Sequence, residues 1–154
     1  MLLGVISDTH DQLPEAVARL FAGVDGILHA GDICSQGVLD RLAAIAPTTA
    51  VRGNNDWHLP HLPEVASLEV AGHRLWMIHN LAELHAEPAA AGVSCVVCGH
   101  THRPLNERRG SILYFNPGAV GPRRGGRPRS VGLLHLENGT VRGEILPFTA
   151  PGDP

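Results

Sequence analysis

The sequence predicts an α/β protein in which helices lie outside two β-sheets. In the first half, short apolar runs alternate with segments of helical spacing, a βαβαβ order typical of a parallel sheet. In the second half, strand-like runs follow one another across turn residues, as antiparallel strands do. No repeat or linker interrupts the 154 residues, so residues 1–150 are predicted to form a single domain and residues 151–154 a disordered tail.

The first half is predicted to contain three strands and two helices. Pro14 near the start of the first helix and Pro47 after the second fit these limits, because proline is tolerated in a first turn and cannot continue a helix. Residues 57–64, which include Pro60 and Pro63, are predicted to be a loop. In chain order the predicted elements are strand 2–6, helix 13–21, strand 26–30, helix 36–46 and strand 49–51.

The second half is predicted to be rich in strands. A hairpin turns at Gly72, and the dipeptide Asn138-Gly139 predicts a tight turn between the last two strands. In chain order the predicted elements are strands 65–71 and 73–78, helix 81–91, and strands 93–98, 111–115, 130–136 and 140–146.

Composition limits the possible partners and the compartment. A formal charge of −3 predicts no basic surface that would bind a membrane or nucleic acid. A small nucleotide is the one ligand of this kind that the sequence leaves open. No apolar run approaches the ~18 residues that span a bilayer. Three cysteines predict no disulfide framework, so a cytoplasmic location is expected. Cys95 and Cys98 lie three positions apart in one predicted strand and are therefore expected in the core.

Potential metal ligands follow five apolar runs. In an open α/β sheet the carboxyl ends of the strands border one crevice, so these side chains are expected to converge. Imidazole nitrogens with carboxylate and amide oxygens suit Mn²⁺, Fe²⁺ or Zn²⁺, and seven ligands are too many for one tetrahedral zinc. Two metal ions are therefore implied. The candidates are Asp8, His10, Asp32, Asn54, His79, His100 and His102.

Glycine precedes three of these candidates. Gly31 stands before Asp32, Gly53 before Asn54, and Gly99 before His100. Because glycine lacks Cβ, it is expected to let the backbone turn sharply where a strand delivers its ligand.

The ordered motifs Asp-x-His, Gly-Asp, Gly-Asn-x-Asp, His and Gly-His-x-His resemble those of calcineurin-like metallophosphoesterases. The short chain, together with Ser7-Asp8-Thr9-His10 and Asn116-Pro117-Gly118, is similar to the small bacterial and archaeal phosphodiesterase branch. The resemblance covers residues 2–146. It implies a four-layer αββα sandwich, in which helices flank two mixed β-sheets and a two-metal site lies between the sheets.

The resemblance also implies a role for each candidate. Asp8, His10 and His102 would hold one ion, Asn54, His79 and His100 the other, and Asp32 would bridge them. Manganese is the preferred metal, with iron, zinc, nickel or cobalt as alternatives. The implied reaction is hydrolysis of a small phosphodiester by attack of a metal-bridging hydroxide. The implied catalytic residues are Asp32, Asn54, Asn55 and Asp56.

Three positions depart from the family pattern. Asn55 stands where many phosphomonoesterases of the superfamily have histidine and where small phosphodiesterases often have cysteine, which puts general-acid catalysis in question. Asn80 replaces a glycine, a mild change because asparagine tolerates left-handed backbone. Leu81 replaces a histidine, so any substrate contact from that side chain would be missing.

Other polar residues receive less specific interpretations. Asp56 is expected to orient a ligand rather than to bind metal. The arginines between 123 and 129 are expected in an exposed loop, with a contact to phosphate as the alternative. Histidines within predicted strands are expected to be structural or at the surface, and those after Asn54 to lie in a solvated loop. These histidines are His29, His73, His135, His58 and His61.

A second class of function is left open. The same superfamily contains a trafficking-complex subunit that serves as a non-catalytic protein-binding scaffold and also lacks the histidine at the Asn55 position. A scaffold does not need all seven ligands, so their presence favours an enzyme. A homo-oligomer is compatible with the sequence.

Overall fold

A computed structural model describes residues 1–123 and 125–154, which form two five-stranded β-sheets packed face to face. The strands are β1 (Leu2–Ile6), β2 (Gly26–His29), β3 (Thr48–Ala50), β4 (Val65–Val70), β5 (His73–Ile78), β6 (Cys95–Val97), β7 (Leu105–Arg109), β8 (Ile112–Asn116), β9 (Arg129–Glu137) and β10 (Thr140–Phe148). The α-helices are α1 (Ala16–Leu20) and α2 (Gln36–Ala43).

The first sheet has the order β10-β9-β1-β2-β3. Its first three strands in the chain are parallel, and β9 joins them antiparallel to β1. Side chains alternate along β1, so Leu3 and Val5 face the second sheet, whereas Ile6 packs with Val17 of α1 and Leu42 of α2. Both α-helices therefore cover the outer face of this sheet.

The second sheet has the order β4-β5-β6-β8-β7 and also mixes parallel and antiparallel pairs. Its inner face contributes Leu75, Met77, Cys95 and Val97 to the core between the sheets. The predicted α/β sandwich of two mixed sheets is confirmed. The expected burial of Cys95 and Cys98 is also confirmed, and both thiols are free.

The predicted helix over residues 81–91 is wrong. Two short 3-10 helices, Leu81–Glu83 and Ala89–Ala91, cover the outer face of the second sheet instead. The Asn80 side chain accepts a hydrogen bond from Ala82 N and begins the first of them. Pro88 cannot donate a helical hydrogen bond, so a continuous helix through it is disfavoured. The helical layer on this side is correspondingly thin.

The sequence interpretation also missed strand β7. This edge strand pairs with β8, and four of its five residues are exposed. Its sequence, Leu-Asn-Glu-Arg-Arg, has no apolar alternation, and charged edge strands resist pairing with other chains. The α-helices are also shorter than predicted, because α1 begins at Ala16 and α2 ends at Ala43.

The end of the chain contacts the first sheet. The carboxylate of Asp153 accepts hydrogen bonds from the Arg129 guanidinium at 3.0–3.1 Å and from Ala150 N at 2.8 Å. The domain boundary at residue 150 stays a prediction. Among the described residues, no helix has the length and apolar character needed to cross a bilayer.

Candidate metal centre

Loops at one edge of the two sheets carry all seven predicted ligands. The loop after β1 pairs with the loop after β2 through backbone hydrogen bonds from Asp8 N to Gly31 O (2.9 Å) and from His10 N to Asp32 O (3.0 Å). In the second sheet, Gly99 N donates to His79 O at 2.9 Å and joins the loops after β5 and β6. The loops thus bring residues that are distant in sequence to one place.

Five of these seven residues have a positive φ, which non-glycine residues rarely adopt. Such conformations persist where surrounding contacts hold them, and they cluster at functional sites. The five are Asp8 (53°), His10 (46°), Asp32 (56°), His100 (71°) and His102 (60°).

Asp8 is the centre of the first ligand group. It is fully buried, and its Oδ2 accepts hydrogen bonds from Ser7 Oγ (2.7 Å) and from His100 N (3.0 Å). Its Oδ1 has no hydrogen-bond partner among the described residues, although His102 Nε2 lies 3.3 Å away and His10 Nε2 3.9 Å away. Burial raises the pKa of Asp8, but His102 and Ser7 outweigh it, so the pKa lies below its ordinary value.

His79 is the centre of the second group. Its Nδ1 lies 2.7 Å from the carbonyl oxygen of Ala30, so Nδ1–H donates and Nε2 faces the site. Nε2 lies 3.1 Å from Asn54 Oδ1, 3.4 Å from Asp32 Oδ2 and 3.9 Å from Asp8 Oδ1. Burial lowers the pKa of His79, but the carboxylates of Asp32 and Asp8 outweigh burial and raise it.

Asp32 approaches one histidine of each group. Its Oδ2 is 3.7 Å from His10 Nε2 and 3.4 Å from His79 Nε2. Burial raises the pKa of Asp32, but hydrogen bonds from His79 and Asn55 lower it well below its ordinary value. The carboxylate therefore stays charged and faces a histidine of each group.

The donor set fits divalent ions. Ligand atoms about 2.1 Å from one ion lie roughly 3.0 to 3.4 Å apart, and the contacts of 3.3–3.9 Å among Asp8, His10, His79 and His102 are close to this spacing. A buried carboxylate oxygen without a partner is costly, and a cation beside Asp8 Oδ1 would remove that cost. Two compact groups have this form, Asp8 with His10 and His102, and Asp8 with Asp32 and His79.

Two predicted ligands lie at the margin of these groups. Asn54 is exposed, but its side-chain oxygen contacts His79. His100 is also exposed, and its ring packs edge-on against the His79 ring with centroids 5.2 Å apart. The structure therefore brings Asn54 and His100 beside the second group, on its solvent side.

The three glycines serve the site in two different ways. Gly31 has φ +101° and makes the sharp turn that the sequence predicted. Gly53 and Gly99 have no positive φ, so the expected turn is not their role. A Cβ on Gly53 would lie 2.2 Å from Asp32 Oδ1, and one on Gly99 2.0 Å from Ser7 Oγ. These two glycines instead leave room for the Asp32 carboxylate and for the Ser7 hydroxyl, which donates to Asp8.

Asp56 hydrogen-bonds to the backbone of the loops that carry the ligands and forms no hydrogen bond to a predicted ligand side chain. Its fully buried carboxylate accepts backbone hydrogen bonds from Ile33, Cys34 and Gly53 at 2.8–2.9 Å. Asp56 therefore ties the Gly53 loop to the loop that follows Asp32.

Several contacts of ligand-bearing loops were missed from sequence. Asn116 is buried, and its amide donates to Gly99 O (2.9 Å) and to Oγ1 of Thr101 (3.2 Å), the residue between His100 and His102. Cys34 Sγ lies 3.8 Å from His10 Nδ1. His29, which was expected to be structural or at the surface, is fully buried, and it contacts two ligand-bearing loops. A histidine inside an apolar run, two residues before a glycine, was the available signal.

The remaining histidines that the sequence singled out have other surroundings. His58 is exposed and its Nε2 lies 2.6 Å from Cys34 O, and His61 is exposed. His73 Nε2 lies 2.7 Å from Glu137 O. His135 forms an ion pair with Glu144 at 3.1 Å.

The arginine-rich segment lies beside His102. Arg123 donates to the carbonyl oxygens of Gly126, Arg127 and Pro154, so its guanidinium is held by backbone. Together with Arg127 and Arg129 it lines a small recess that His102 also borders. Arg124, which belongs to the same predicted loop, lies outside the described residues.

A cavity of about 320 Å³ adjoins the second ligand group. Asn54, His79 and His100 form the wall nearest the centre. Arg52 also lines it and forms a 2.9 Å ion pair with Glu64. The cavity has the size of a small-molecule pocket at the lower end of the usual range.

Comparisons with known proteins agree with the family resemblance seen in the sequence. The sequence model of the calcineurin-like phosphoesterase superfamily domain matches residues 1–139. Phosphodiesterase YfcE of Escherichia coli strain K12 is 36% identical over 160 residues, which cover 87% of each chain. The structure of an archaeal phosphodiesterase superposes with a TM-score of 0.81 at 25% identity, over 95% of this chain and 100% of the other.

The same fold occurs in a further solved structure. Vps29 of Chaetomium thermophilum superposes with a TM-score of 0.78 at 20% identity, over 98% of each chain. At that identity the likeness concerns the fold alone.

Proposed function

This chain belongs to the calcineurin-like phosphoesterase superfamily and is a hydrolase of ester bonds, and we propose that it cleaves small phosphodiesters with two divalent metal ions. The observation that carries the proposal is Asp8 Oδ1, a buried carboxylate oxygen without a hydrogen-bond partner that faces three imidazole nitrogens. Such an oxygen is accounted for by a cation that the surrounding histidines share.

The proposed ligand sets are those that the family resemblance implies. Asp8, His10 and His102 hold one ion and Asn54, His79 and His100 the other. Asp32 lies between them, because its Oδ2 is within 3.7 Å of a histidine from each set. When bound, two divalent ions activate a water and stabilise the attacking and leaving oxygens of an in-line displacement.

The charge of the site favours an anionic substrate. Two divalent ions and the carboxylates of Asp8 and Asp32 leave about two positive charges, which attract an anionic phosphoryl group. One substituent of the phosphodiester occupies the cavity beside Asn54 and His79, where Arg52 is the neighbouring cation. Glu64 and Glu83 also line this cavity, so a second phosphate on that substituent would be disfavoured.

A non-catalytic scaffold is the alternative on the same fold. A scaffold that binds no metal would leave Asp8 Oδ1 buried without a hydrogen-bond partner and would give the five ligand residues with positive φ no function. The metal-ligand geometry therefore supports the enzyme over a scaffold without metal.

The metal, the compartment and the assembly complete the proposal. We propose manganese as the metal, because imidazole and carboxylate together suit this group of ions, with iron, zinc, nickel or cobalt as alternatives. The three free cysteines support a reducing, cytoplasmic location. A homo-oligomer remains compatible with this function.

A substrate panel tests the proposal. Purified protein loaded with Mn²⁺ is assayed on bis(p-nitrophenyl) phosphate, p-nitrophenyl phosphate and a 2′,3′-cyclic nucleotide. We expect the diesters to be cleaved faster than the monoester, and Asp8→Asn to abolish both activities. A faster monoester reaction would contradict the phosphodiesterase assignment. No hydrolysis with any of the five metals would favour the scaffold.

A further inference from the structure

His29 contacts two ligand-bearing loops at once. It is the last residue of β2 and is fully buried. Its Nδ1 accepts a hydrogen bond from the backbone N–H of Gly31 at 3.1 Å, one residue before Asp32. Its Nε2 lies 3.1 Å from Oγ1 of Thr9, which stands between Asp8 and His10.

These contacts determine the tautomer of the ring. Gly31 N can only donate, so Nδ1 of His29 accepts and the single proton of the neutral ring is on Nε2. Nε2–H therefore donates to Thr9 Oγ1. The Thr9 hydroxyl then donates to the carbonyl oxygen of Ile33 at 3.1 Å. Burial lowers the pKa of His29 to about 3, in agreement with a neutral ring.

The hydrogen bonds form a closed link between the two loops. It runs from Gly31 through His29 to Thr9, and from Thr9 back to Ile33 on the far side of Asp32. Both ends of the Asp32 turn are thus connected to the residue between Asp8 and His10. No hydrogen bond in this link involves a ligand side chain, so all ligand atoms remain available.

An imidazole is well suited to this position. It has an acceptor and a donor on separate edges of one rigid ring, whereas asparagine and glutamine have both on the same end of a flexible chain. Thr9 is fully buried too, so an unpaired hydroxyl or ring N–H at this place would carry a desolvation cost.

We propose that His29 is a positioning residue which, through Thr9, holds the ligands on the β1 and β2 loops at the separation that two metal ions require. Asp8, His10 and Asp32 all have positive φ, and such backbone persists where several contacts determine it. Backbone hydrogen bonds join the two loops, and the His29–Thr9 link adds buried side-chain hydrogen bonds between them. This inference rests on the metal centre proposed above.

Thr9 variants provide the primary test. Thr9→Val keeps the shape of the side chain but removes the hydroxyl, and Thr9→Ser keeps the hydroxyl. We expect Thr9→Val to weaken Mn²⁺ binding by about 10- to 100-fold, the usual effect of losing a contact that orients metal ligands. Thr9→Ser should bind as the natural protein does. His29→Gln should weaken binding like Thr9→Val.

His73 offers a matched control. It is also buried, and its ring nitrogens contact Ser94 Oγ (3.3 Å) and Glu137 O (2.7 Å) away from the ligand groups. His73→Gln and His29→Gln should both lower Tm, but His73→Gln should leave Mn²⁺ affinity unchanged. Calorimetric titration gives the affinities, and the electron paramagnetic resonance spectrum of the coupled Mn²⁺ pair reports the separation of the ions.

The outcomes separate this inference from the proposed function. If the natural protein binds two Mn²⁺ ions and Thr9→Val matches it in affinity and in the coupled spectrum, the positioning role is wrong and the metal centre stands. If the natural protein binds none of the five candidate metals, the metal centre itself is wrong. A weakened Thr9→Ser variant would also overturn the inference, because the hydroxyl would then not be the group that matters.

Discussion

Asn55 holds both carboxylate oxygens of Asp32. Its backbone N–H donates to Oδ1 at 3.0 Å and its side-chain amide donates to Oδ2 at 2.8 Å. The amide at this position is therefore directed to the proposed bridging carboxylate. It is neutral and has no proton to give to a departing alkoxide. A role in orienting Asp32 follows from these contacts, and general-acid catalysis does not.

We therefore expect hydrolysis to depend steeply on the leaving group. Without a proton donor, aryl phosphodiesters should be cleaved much faster than alkyl ones. Asn55→His should help poor leaving groups selectively, by up to the ~10²- to 10⁴-fold that general-acid catalysis provides. The measurement is a rate series over substituted phenyl and alkyl phosphodiesters.

The controls for this series are Asn55→Ala and His58→Gln. Asn55→Ala should slow all substrates alike, because it only releases Asp32. His58 contacts Cys34 O, so His58→Gln should leave the leaving-group dependence unchanged. A flat dependence in the natural protein that becomes steep in His58→Gln would identify His58 as the proton donor and contradict our assignment.

The second prediction compares Asp32 with Asn54. Asp32→Asn should cost more activity than Asn54→Ala. Asp32 approaches both His10 and His79, one histidine from each group, whereas Asn54 contacts only His79 of these two histidines. Rates are compared at saturating Mn²⁺, so that a weaker affinity for the metal does not by itself lower the measured rate. Equal losses would count against Asp32 as the bridge.

The third prediction concerns the cavity beside the second group. Arg52→Gln should raise KM for bis(p-nitrophenyl) phosphate by about tenfold with little change in kcat, the effect of losing one hydrogen bond to a charged group of about 1.5 kcal/mol. Arg74→Gln is the matched control, because Arg74 also pairs with a glutamate, Glu69, but does not line the cavity. A fall in kcat at unchanged KM would contradict a role in binding alone.

The fourth prediction concerns acid stability. Arg129 and the Ala150 N–H lower the pKa of Asp153, so the folded chain binds this proton more weakly than the unfolded chain does. The resulting stabilisation is complete above the ordinary carboxyl pKa of about 3.9 and is lost as the pH falls through the lowered value.

Thermal unfolding of Asp153→Asn measures this effect. The Tm of the variant should lie below that of the natural protein at pH 7, and the difference should shrink as the pH approaches 3. Glu107→Gln, which removes an exposed ion pair with Arg109, should change Tm little. A Tm difference independent of pH would show that Asp153 acts through packing rather than charge.

The sequence predicted the ligand-bearing strands well because their apolar runs are buried and end abruptly. Strand β1 occupies residues 2–6 as predicted, and β2 and β3 lie within one residue of their predicted limits. Strand β7 and the segment around Pro88 were mistaken because their residues are mostly exposed, so apolar periodicity carries no signal there.

The residues of the candidate site could be predicted from the sequence. The contacts that hold these residues in place could not. Glycine spacing marked Asp32, Asn54 and His100, but the steric role of Gly53 depends on where Asp32 places its carboxylate. The link from His29 to Thr9 joins side chains 20 positions apart and appears only when the strands pair. Such contacts depend on tertiary structure and leave no local pattern.

The proposed phosphodiesterase activity depends on two metal ions. The most direct measurement is to strip the protein of metal and to follow hydrolysis of bis(p-nitrophenyl) phosphate while Mn²⁺ is added in known equivalents. We predict that activity rises to a plateau that begins at two equivalents per chain. A plateau at one equivalent, or full activity in the stripped protein, would contradict it.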